Sequence, residues 1–518
     1  MSQAQLALRA RALVTGVLLA LTAACVINPV TGQRELALVS AGDEVAIGSE
    51  QYVPSQQMQG GEYLRDPALT RYVQDVGNRL AAVSDRALPY EFVILNNSVP
   101  NAWALPGGKI AINRGLLVEL DSEAELAAVL GHEIVHAAAR HGAQSLQRSI
   151  LLQGAVAIAA TAARDRDYSD LAVGAASIGA QLINTRHGRE AELESDYYGM
   201  QYMSRAGYDP HAAITLQQTF LRLSEGRESG WLAGLFASHP PSSERVTANE
   251  ETAFQLPATG TVGREAYQAA TANLRAATPG FEALDQAREA LADDDIAAAR
   301  RQAAAAAEIL LADADVEGLY GDIEMAANNP GRALPRYTRA VELNPEFFYY
   351  QYGKAEAHRA LNQLDPAQGA YEASIALLPT AGAYYGLGRI AETRGNILQA
   401  LEHYARAAES SGAAGVAARA ATVRLDLPTN PGRYLSLATR TDSNGQLYIE
   451  IGNLTEFAIS DIVVSIAYID GGQAQQLRRP VDGTLPAREA RRLATGLGPF
   501  TAAGQYTVTI DSARLISD

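Results

Sequence analysis

The chain has 518 residues, a formal net charge of −16 and one cysteine, and each of these facts excludes a class of protein. The length exceeds what a single hydrophobic core can organise and predicts about three domains. The acidic balance argues against nucleic acid as a partner, because phosphate binding needs a basic face. A lone cysteine excludes an intramolecular disulfide and any metal site built from two or more cysteines, so a metal must be bound mainly by His and carboxylate side chains.

The N-terminus has the pattern of an export signal. Two arginines precede an apolar run over residues 12–24, which is followed by Cys25. The run is shorter than the ~20 residues of a membrane-spanning helix and is typical of a signal peptide. The string L-T-A-A-C resembles a bacterial lipobox, which implies cleavage before Cys25 and its lipidation; a plain signal peptide is the alternative. Val26 in the next position implies the outer membrane. We therefore expect a lipoprotein signal peptide over residues 1–25 and a periplasmic, lipid-anchored protein.

Helix and strand signals alternate over the next part of the chain. Apolar residues at helical spacing predict helices within residues 43–83 and 122–141. Between them, three short strands are predicted at 92–95, 101–105 and 109–112. We expect residues 26–262 to fold as one α+β domain that is mainly helical with a small sheet.

Two apolar stretches, residues 150–163 and 171–183, follow the second of these helices. Neither is long enough to span a bilayer simply. They are compatible with a buried helical hairpin, with docking on a membrane surface, or with a mobile flap over the site, and the sequence leaves these readings open.

A repeat of about 34 residues begins near residue 283. Its marker positions are Ala333, Tyr337, Ala340 and Pro345, then Ala367, Tyr371, Ser374 and Pro379, then Ala400, Tyr404 and Ala407. Small residues let paired helices approach, the tyrosine fills the gap, and the proline ends the second helix. The pattern resembles tetratricopeptide repeats and predicts an α-helical solenoid over residues 283–412.

The C-terminal part changes to strand periodicity. Short runs that alternate apolar and polar residues, separated by Asn/Gly turns, predict a small all-β sandwich over residues 430–518. The chain is thus predicted to be multidomain: an α+β domain, a helical solenoid and a β-sandwich.

The clearest chemical signal is G-H-E-I-V-H at residues 131–136. On a helix, His132 and His136 lie about 40° apart around the axis, so both imidazoles can reach one ion, and Glu133 lies beside them. This spacing is typical of zinc peptidases, in which the glutamate takes a proton from the water that attacks a carbonyl. His141 lies about 140° round the same helix from His136 and is predicted to be structural or exposed.

A catalytic zinc needs a third protein ligand, and the acidic segment 189–199 is the obvious source. Glu192 and Asp196 share one face of a predicted helix, while Glu190 and Glu194 share nearly the opposite face. One pair faces inward, but helical geometry alone leaves open which.

Several strings together resemble the HtpX and CAAX-prenyl-protease family of zinc peptidases, and within it the periplasmic members with tetratricopeptide repeats. These strings are N-A-W-A-L-P-G-G (101–108), N-R-G-L-L (113–117), G-H-E-I-V-H (131–136), E-L-E-S-D (192–196) and S-H-P-P-S-S-E-R (238–245). The resemblance implies a zincin-like fold with one Zn²⁺ per chain. It implies Glu192 as the third ligand, with Asp196 orienting a ligating His through its other ring nitrogen. It also implies that His239 can coordinate zinc in a resting state, although a His before two prolines is in itself an ordinary loop residue.

The predicted strand over Asn101, Ala102, Trp103 and Ala104 precedes the zinc helix, as the substrate-aligning edge strand does in zinc peptidases. Such a strand binds a peptide as an additional strand, so these four residues are candidate substrate-binding residues. Trp103 could instead belong to the core.

These features predict a zinc-dependent endopeptidase that removes misfolded or stalled envelope proteins, outer-membrane ones above all. The alternative is a scaffold whose repeats hold such clients or dock an outer-membrane assembly machine, with cleavage secondary. The intact set of His132, Glu133, His136 and Glu192 favours catalysis, because a pure scaffold needs no acid beside a metal.

Overall fold

The computed structural model describes residues 25–153, 182, 187–226, 238–257, 259–501 and 503–516. Most of the predicted signal peptide and most of the apolar stretches 150–163 and 171–183 lie outside the described residues, so those predictions stay open. Within the described residues, no helix is both long and apolar enough to cross a membrane. The chain divides into two compact units, Met1–Pro379 and Thr380–Asp518.

The first unit opens with a hairpin and continues as helices around a small sheet. Its elements up to residue 255 are β1 (Cys25–Ile27), β2 (Arg34–Leu36), α1 (Ala41–Met58), α2 (Pro67–Ala81), β3 (Glu91–Leu95), β4 (Ala102–Leu105), β5 (Lys109–Asn113), α3 (Arg114–Glu119), α4 (Glu123–Ala138), α5 (His141–Gln153), α6 (Arg189–Arg205), α7 (Ala212–Gly226) and α8 (Ser243–Gln255). The three strands β3–β5 lie where the sequence predicts them.

The small sheet has the strand order β3-β5-β4, with β3 parallel and β4 antiparallel to β5. Helix α4 packs against β4, α2, α6 and α7. All of its residues are buried, and most of the residues that flank the motif are Ala, Leu, Val or Ile. The helix that carries the H-E-x-x-H motif is therefore the central element of the domain.

Specific residues explain where α4 begins and where it ends. Ser122 caps the N-terminus, with its hydroxyl accepting from the backbone N–H of Glu125. The helix ends at Ala138, and Arg140 follows in the left-handed region with φ 68°. The prediction of one helix as far as His141 is therefore wrong at its C-terminal end, because the chain turns sharply before α5 begins.

The rest of the first unit consists of paired helices: α9 (Arg264–Ala292), α10 (Ile296–Ile309), α11 (Ala314–Ala326), α12 (Pro330–Leu343), α13 (Phe348–Ala360) and α14 (Leu364–Leu377). The small residues and tyrosines of the repeat are buried, and Tyr337 of α12 shows how they pack. A Cβ added to Gly321 of α11 or to Gly353 of α13 would lie 2.6 or 2.4 Å from the Tyr337 ring. The ring thus occupies the space that two glycines leave, and the prediction of tetratricopeptide-like helical repeats is confirmed.

The second unit starts with α15 (Ala381–Thr393), α16 (Ile397–Ala407) and α17 (Ala413–Asp426). Two antiparallel three-stranded sheets follow, built from β6 (Leu435–Thr441), β7 (Leu447–Asn453), β8 (Ile459–Asp470), β9 (Gln473–Pro480), β10 (Ala490–Ala494) and β11 (Tyr506–Leu515). Their strand orders are β10-β7-β6 and β11-β8-β9. Ile449 and Ile451 of the first sheet share one apolar core with Val464 and Ile466 of the second.

Candidate metal centre

Helix α4 presents three side chains of the motif to one buried point. His132, Glu133 and His136 are 8%, 2% and 2% exposed. The Nε2 atoms of His132 and His136 lie 3.0 Å apart. Two imidazoles one helical turn apart thus offer the same ring nitrogen to a common centre, as the i, i+4 spacing predicts.

Helix α6 contributes Glu192, which settles which acidic pair faces inward. Its Oε1 lies 3.4 Å from His136 Nε2, and its Oε2 lies 3.5 Å from His132 Nε2. Asp196, one turn further along, is also buried, while Glu190 is exposed. The close approach of the two helices depends on glycine, because a Cβ on Gly199 would lie 3.1 Å from the backbone nitrogen of His132.

His239 enters the same cluster from the segment that precedes α8. Its Nδ1 lies 3.3 Å from His132 Nε2 and 3.1 Å from Glu192 Oε1. His132, His136, Glu192 and His239 each offer one ligand atom, and these atoms all lie within 4.8 Å of one another. Among the described residues, this is the group of His and acid side chains arranged to hold a metal ion.

The spacing of these atoms fits a tetrahedral metal. Around zinc, with ligand bonds of 2.0–2.1 Å, tetrahedral ligand atoms lie about 3.3 Å from one another. His132 Nε2 lies 3.0 Å from His136 Nε2, 3.3 Å from His239 Nδ1 and 3.5 Å from Glu192 Oε2, and all four ligand atoms lie within 4.8 Å of one another. Nitrogen and carboxylate donors suit zinc as well.

Asp196 and Arg245 support the cluster from behind. Asp196 Oδ1 lies 2.9 Å from His132 Nδ1, the ring nitrogen that faces away from the other ligand atoms. Arg245 of α8 donates to Asp196 through Nε and Nη2, at 2.7 Å each, and pairs with Glu192 through Nη1 at 2.9 Å. One guanidinium therefore balances both buried acids of α6.

Two further histidines lie against His136. His141, 5% exposed, places Nδ1 2.9 Å from His136 Nδ1. The ring of His187 lies over His136 with 4.1 Å between centroids. No local pattern in the sequence places either residue here. Of the two alternatives predicted for His141, structural or exposed, its burial excludes exposure.

The charges of the cluster set the pKa values of its members. Burial lowers the pKa of His132, but the hydrogen bonds to Asp196 and Glu192 outweigh it and raise that pKa to about 10. Burial and the neighbouring His187 hold the pKa of His136 well below its usual range. Burial opposes ionisation of Glu192, but His239 and the other imidazoles hold its pKa well below the usual range. These shifts favour a neutral His136 and an ionised Glu192, the forms that ligate a cation.

Residues 67–253 match the model of peptidase family M48. The chain contains an M48 metallopeptidase domain. Zinc is the metal that this family implies, and the four ligand atoms fit it. The domain model covers the small sheet, α4, α6 and α8, which are the elements that build the cluster.

The M48 domain has curated relatives in bacteria and mitochondria. The β-barrel assembly-enhancing protease of Escherichia coli (strain K12) is 29% identical over 235 residues, covering 42% of this chain and 46% of that protein. Mitochondrial metalloendopeptidase OMA1 of Schizosaccharomyces pombe is 34% identical over 230 residues, covering 43% of this chain and 65% of that protein. The chain spans about half the length of the assembly-enhancing proteases it matches.

A solved structure also matches part of this chain. The tetratricopeptide protein YrrB matches 41% of this chain and 92% of its own length, with 19% identity and a TM-score of 0.25. At so low a TM-score, the description of the repeats depends on the helices and buried tyrosines of this chain itself.

Glu133 of the M48 domain faces a small cavity. Its Oε2 is buried and has no hydrogen-bond partner among the described residues, and its Oε1 lies 3.6 Å from His239 Nε2. The cavity has a volume of about 30 Å³, is lined by Glu133, His132, Ala102 and Phe220 among others, and has room for about one water molecule. Burial raises the pKa of Glu133. This is a setting in which a carboxylate can accept a proton from water near neutral pH.

The strand β4 divides its side chains between two cores. Ala102 lines the cavity beside Glu133, and Ala104 packs on the same side. Trp103 is 3% exposed and meets Tyr52 edge-to-face in the core on the other side. Of the four candidate substrate-binding residues, the structure brings Ala102 next to the cluster, and it places Trp103 in a core.

Arg245 is the charged residue of the site that sequence reasoning did not single out. A signal was present, since it ends the S-H-P-P-S-S-E-R string that contains His239. Its contact with Asp196 needs the packing of α8 on α6, which no local pattern predicts.

Proposed function

We propose that this chain is a zinc-dependent endopeptidase that degrades misfolded or stalled proteins of the bacterial envelope. The observation that carries the proposal is the convergence of His132, His136 and Glu192 at tetrahedral spacing beside Glu133, whose Oε2 has no partner among the described residues. A buried carboxylate oxygen without a hydrogen-bond partner costs stability, so its presence beside a metal cluster favours a catalytic role.

In this proposal, His132, His136 and Glu192 hold one Zn²⁺, and Asp196 orients His132 through the 2.9 Å contact at Nδ1. When bound, zinc supplies Lewis acidity that polarises the peptide carbonyl and acidifies water. The chain fixes the ligands by burying them and by clamping Glu192 and Asp196 with Arg245.

Glu133 is the proposed general base. It accepts a proton from the water that adds to the peptide carbonyl, and it delivers that proton to the nitrogen of the leaving amine as the C–N bond breaks. The carboxylate has the reach for both steps, because it stands at the edge of the cavity next to the ligand atoms.

His239 is proposed to ligate zinc in a resting state. Its Nδ1 completes the four-atom group, so the position that water or a carbonyl needs is taken while the segment 238–245 stays in place. Substrate binding that displaces this segment opens the position. The peptidase would therefore be latent until engaged.

The rest of the chain is proposed to bring substrates to this site. Asn101, Ala102, Trp103 and Ala104 form or adjoin an edge strand to which a peptide can add, with Ala102 nearest the catalytic acid. The helical repeats offer a surface for unfolded clients or for outer-membrane assembly machinery. The relative in Escherichia coli is named as an assembly-enhancing protease, which supports this substrate class.

The proposed location is the periplasm, with a lipid on Cys25 and attachment to the outer membrane. The support is the lipobox-like string before Cys25 and the residue Val26 that follows it. We further propose that the two C-terminal sheets form a sandwich, since Ile449 and Val464 share one core across them.

The test compares the full chain with the Glu133→Gln variant. Zinc content is measured by elemental analysis, and cleavage is measured on unfolded casein. We expect about one zinc per chain in both proteins and cleavage by the parent only, since the amide keeps the shape of the carboxylate but cannot take a proton. Glu190→Gln is the matched control, because Glu190 is an exposed acid on α6. Absence of zinc from the parent would sink the metal assignment.

One observation favours the alternative function, a scaffold in which cleavage is secondary. His239 stands with the three proposed ligands as a fourth candidate, and four protein ligands are typical of a structural rather than a catalytic zinc site. A parent that binds zinc but does not cleave, even with His239→Ala, would support the scaffold.

A further inference from the structure

His141 connects the metal cluster to an acid that the proposed mechanism does not use. His136 directs Nε2 toward His132, and its opposite nitrogen, Nδ1, lies 2.9 Å from Nδ1 of His141. On the other side of that ring, Nε2 of His141 lies 3.3 Å from Oε1 of Glu194. His141 is 5% exposed and the Glu194 side chain is 27% exposed, so the contact with His136 is screened from water and the contact with Glu194 is partly open to it.

The three groups accept only one consistent arrangement of protons with a metal present. A His136 that offers Nε2 to a metal carries its proton on Nδ1, and it therefore donates to Nδ1 of His141. His141 then carries its own proton on Nε2 and donates to the carboxylate of Glu194. Every ring nitrogen has a partner of the correct kind, and no group needs an added charge.

The backbone is bent to bring His141 to this position. In a continuous helix, His141 would lie about 140° around the axis from His136. Instead α4 ends at Ala138 and Arg140 adopts φ 68°, a left-handed conformation that is unfavourable for a non-glycine residue. The conformation is held by side-chain contacts, because Arg140 pairs with buried Glu44 and donates from Nη2 to the carbonyl of Val39 at 2.7 Å.

We infer that His141 is a positioning residue for the metal, fixing the tautomer and the ring orientation of His136 while Glu194 fixes His141. The inference rests on the proposed zinc site and deepens it. Each motif histidine is then oriented by an acid of α6, His132 by Asp196 directly and His136 by Glu194 through His141. Such outer partners set ligand basicity and geometry.

The test compares two amides at position 141 in the full chain. In His141→Asn, the carbonyl oxygen stands close to where Nδ1 stood, so an acceptor for His136 is kept. In His141→Gln, the amide reaches toward Glu194 and the acceptor near His136 is lost. Zinc affinity is measured by competition with a chelator, and the ligand geometry is measured from the visible spectrum of the Co²⁺-loaded protein.

We expect His141→Gln to weaken zinc binding by roughly ten- to a hundredfold and to change the Co²⁺ spectrum. His141→Asn should stay within about threefold of the parent affinity. A second pair keeps the test decisive if position 141 does not tolerate substitution: Glu194→Ala should weaken zinc binding, and Glu190→Ala, on the exposed side of the same helix, should not.

Equal loss of zinc affinity in the Asn and Gln variants would make His141 a packing residue and overturn the inference. Parent-like affinity and spectrum in both His141→Gln and Glu194→Ala would overturn it as well, while leaving the zinc site intact. A parent that binds no zinc would instead overturn the proposed function, so the two failures are distinguishable.

Discussion

Asp196 receives both arms of the Arg245 guanidinium, with Nε 2.7 Å from Oδ2 and Nη2 2.7 Å from Oδ1. Both side chains are buried. Burial opposes ionisation, but Arg245 holds the pKa of Asp196 below its usual range. Because Asp196 Oδ1 also contacts His132 Nδ1, the arginine fixes the acid that orients a proposed ligand.

Replacing Arg245 with Lys should lower zinc affinity by roughly ten- to a hundredfold, because an ammonium cannot bond both oxygens in one plane. Chelator competition measures the change. Arg189→Lys is the control, since Arg189 makes a two-armed contact with Glu244 on the exposed surface. Equal zinc affinity in the parent and Arg245→Lys would show that the clamp does not act on the metal.

Removing the proposed resting ligand should activate the enzyme. We expect His239→Ala to retain zinc through its other ligands and to cleave unfolded casein several-fold faster than the parent, because the fourth position is then open to water. Initial cleavage rates normalised to bound zinc measure this. Ser243→Ala, an exposed change in the same segment, should leave the rate unchanged. Slower cleavage by His239→Ala would assign His239 to catalysis rather than to latency.

The repeats should not tolerate a methyl group beneath Tyr337. A Cβ on Gly353 would lie 2.4 Å from the ring, which the hydrogen bond from its hydroxyl to Asp322 holds in place. We expect Gly353→Ala to destabilise the first unit by about 1–3 kcal/mol through overpacking. The shift in the urea unfolding midpoint by circular dichroism measures this.

Gly369→Ala is the matched control for that substitution. Gly369 also lies within a repeat helix, but nothing lies within 4 Å of its added Cβ. There, Ala should stabilise the helix by up to about 1 kcal/mol, since it costs less backbone entropy than Gly. Equal effects at positions 353 and 369 would contradict the packing explanation.

Asp322 should make the stability of the repeats depend on pH. Burial raises its pKa from 3.8 to about 6, although the hydroxyls of Tyr337 and Tyr349 donate to it. The folded protein therefore binds an additional proton between these values. The contribution of Asp322 to stability is complete below about pH 3.8 and is lost as the pH rises through about 6.

The variant Asp322→Asn keeps the oxygen that both hydroxyls use but does not titrate. We expect its melting temperature to rise relative to the parent between about pH 4 and pH 7. Differential scanning calorimetry of both proteins across this range makes the comparison. A difference that stays constant with pH would refute the assignment.

Local periodicity predicted the parts of the site that one helix determines. His132 and His136 meet because they are one turn apart on α4, and Glu192 and Asp196 share a face of α6 for the same reason. The choice between the two acidic faces of α6 required the resemblance, since helix geometry treats them alike. The repeat tyrosines could likewise be predicted from the sequence alone, because they recur at a spacing of about 34 residues.

Contacts between elements could not be predicted in this way. The helical wheel placed His141 away from the metal because it assumed that α4 continues, whereas the turn at Arg140 depends on the distant partner Glu44. His187 gives no local signal and reaches His136 through tertiary packing alone. The errors thus fall at helix ends and in connecting segments, where tertiary contacts set the backbone.

The first hairpin places the proposed lipid-bearing residue, Cys25, close to the folded domain. Asn28, three residues after Cys25, donates from Nδ2 to the carbonyl of Ala139, at the end of the helix α4 that carries the H-E-x-x-H motif. Three residues span at most about 10 Å. A lipid on Cys25 would therefore be joined to the folded domain by a short connection rather than by a long flexible linker. The proposed anchor would thus favour cleavage of clients that lie near the membrane surface.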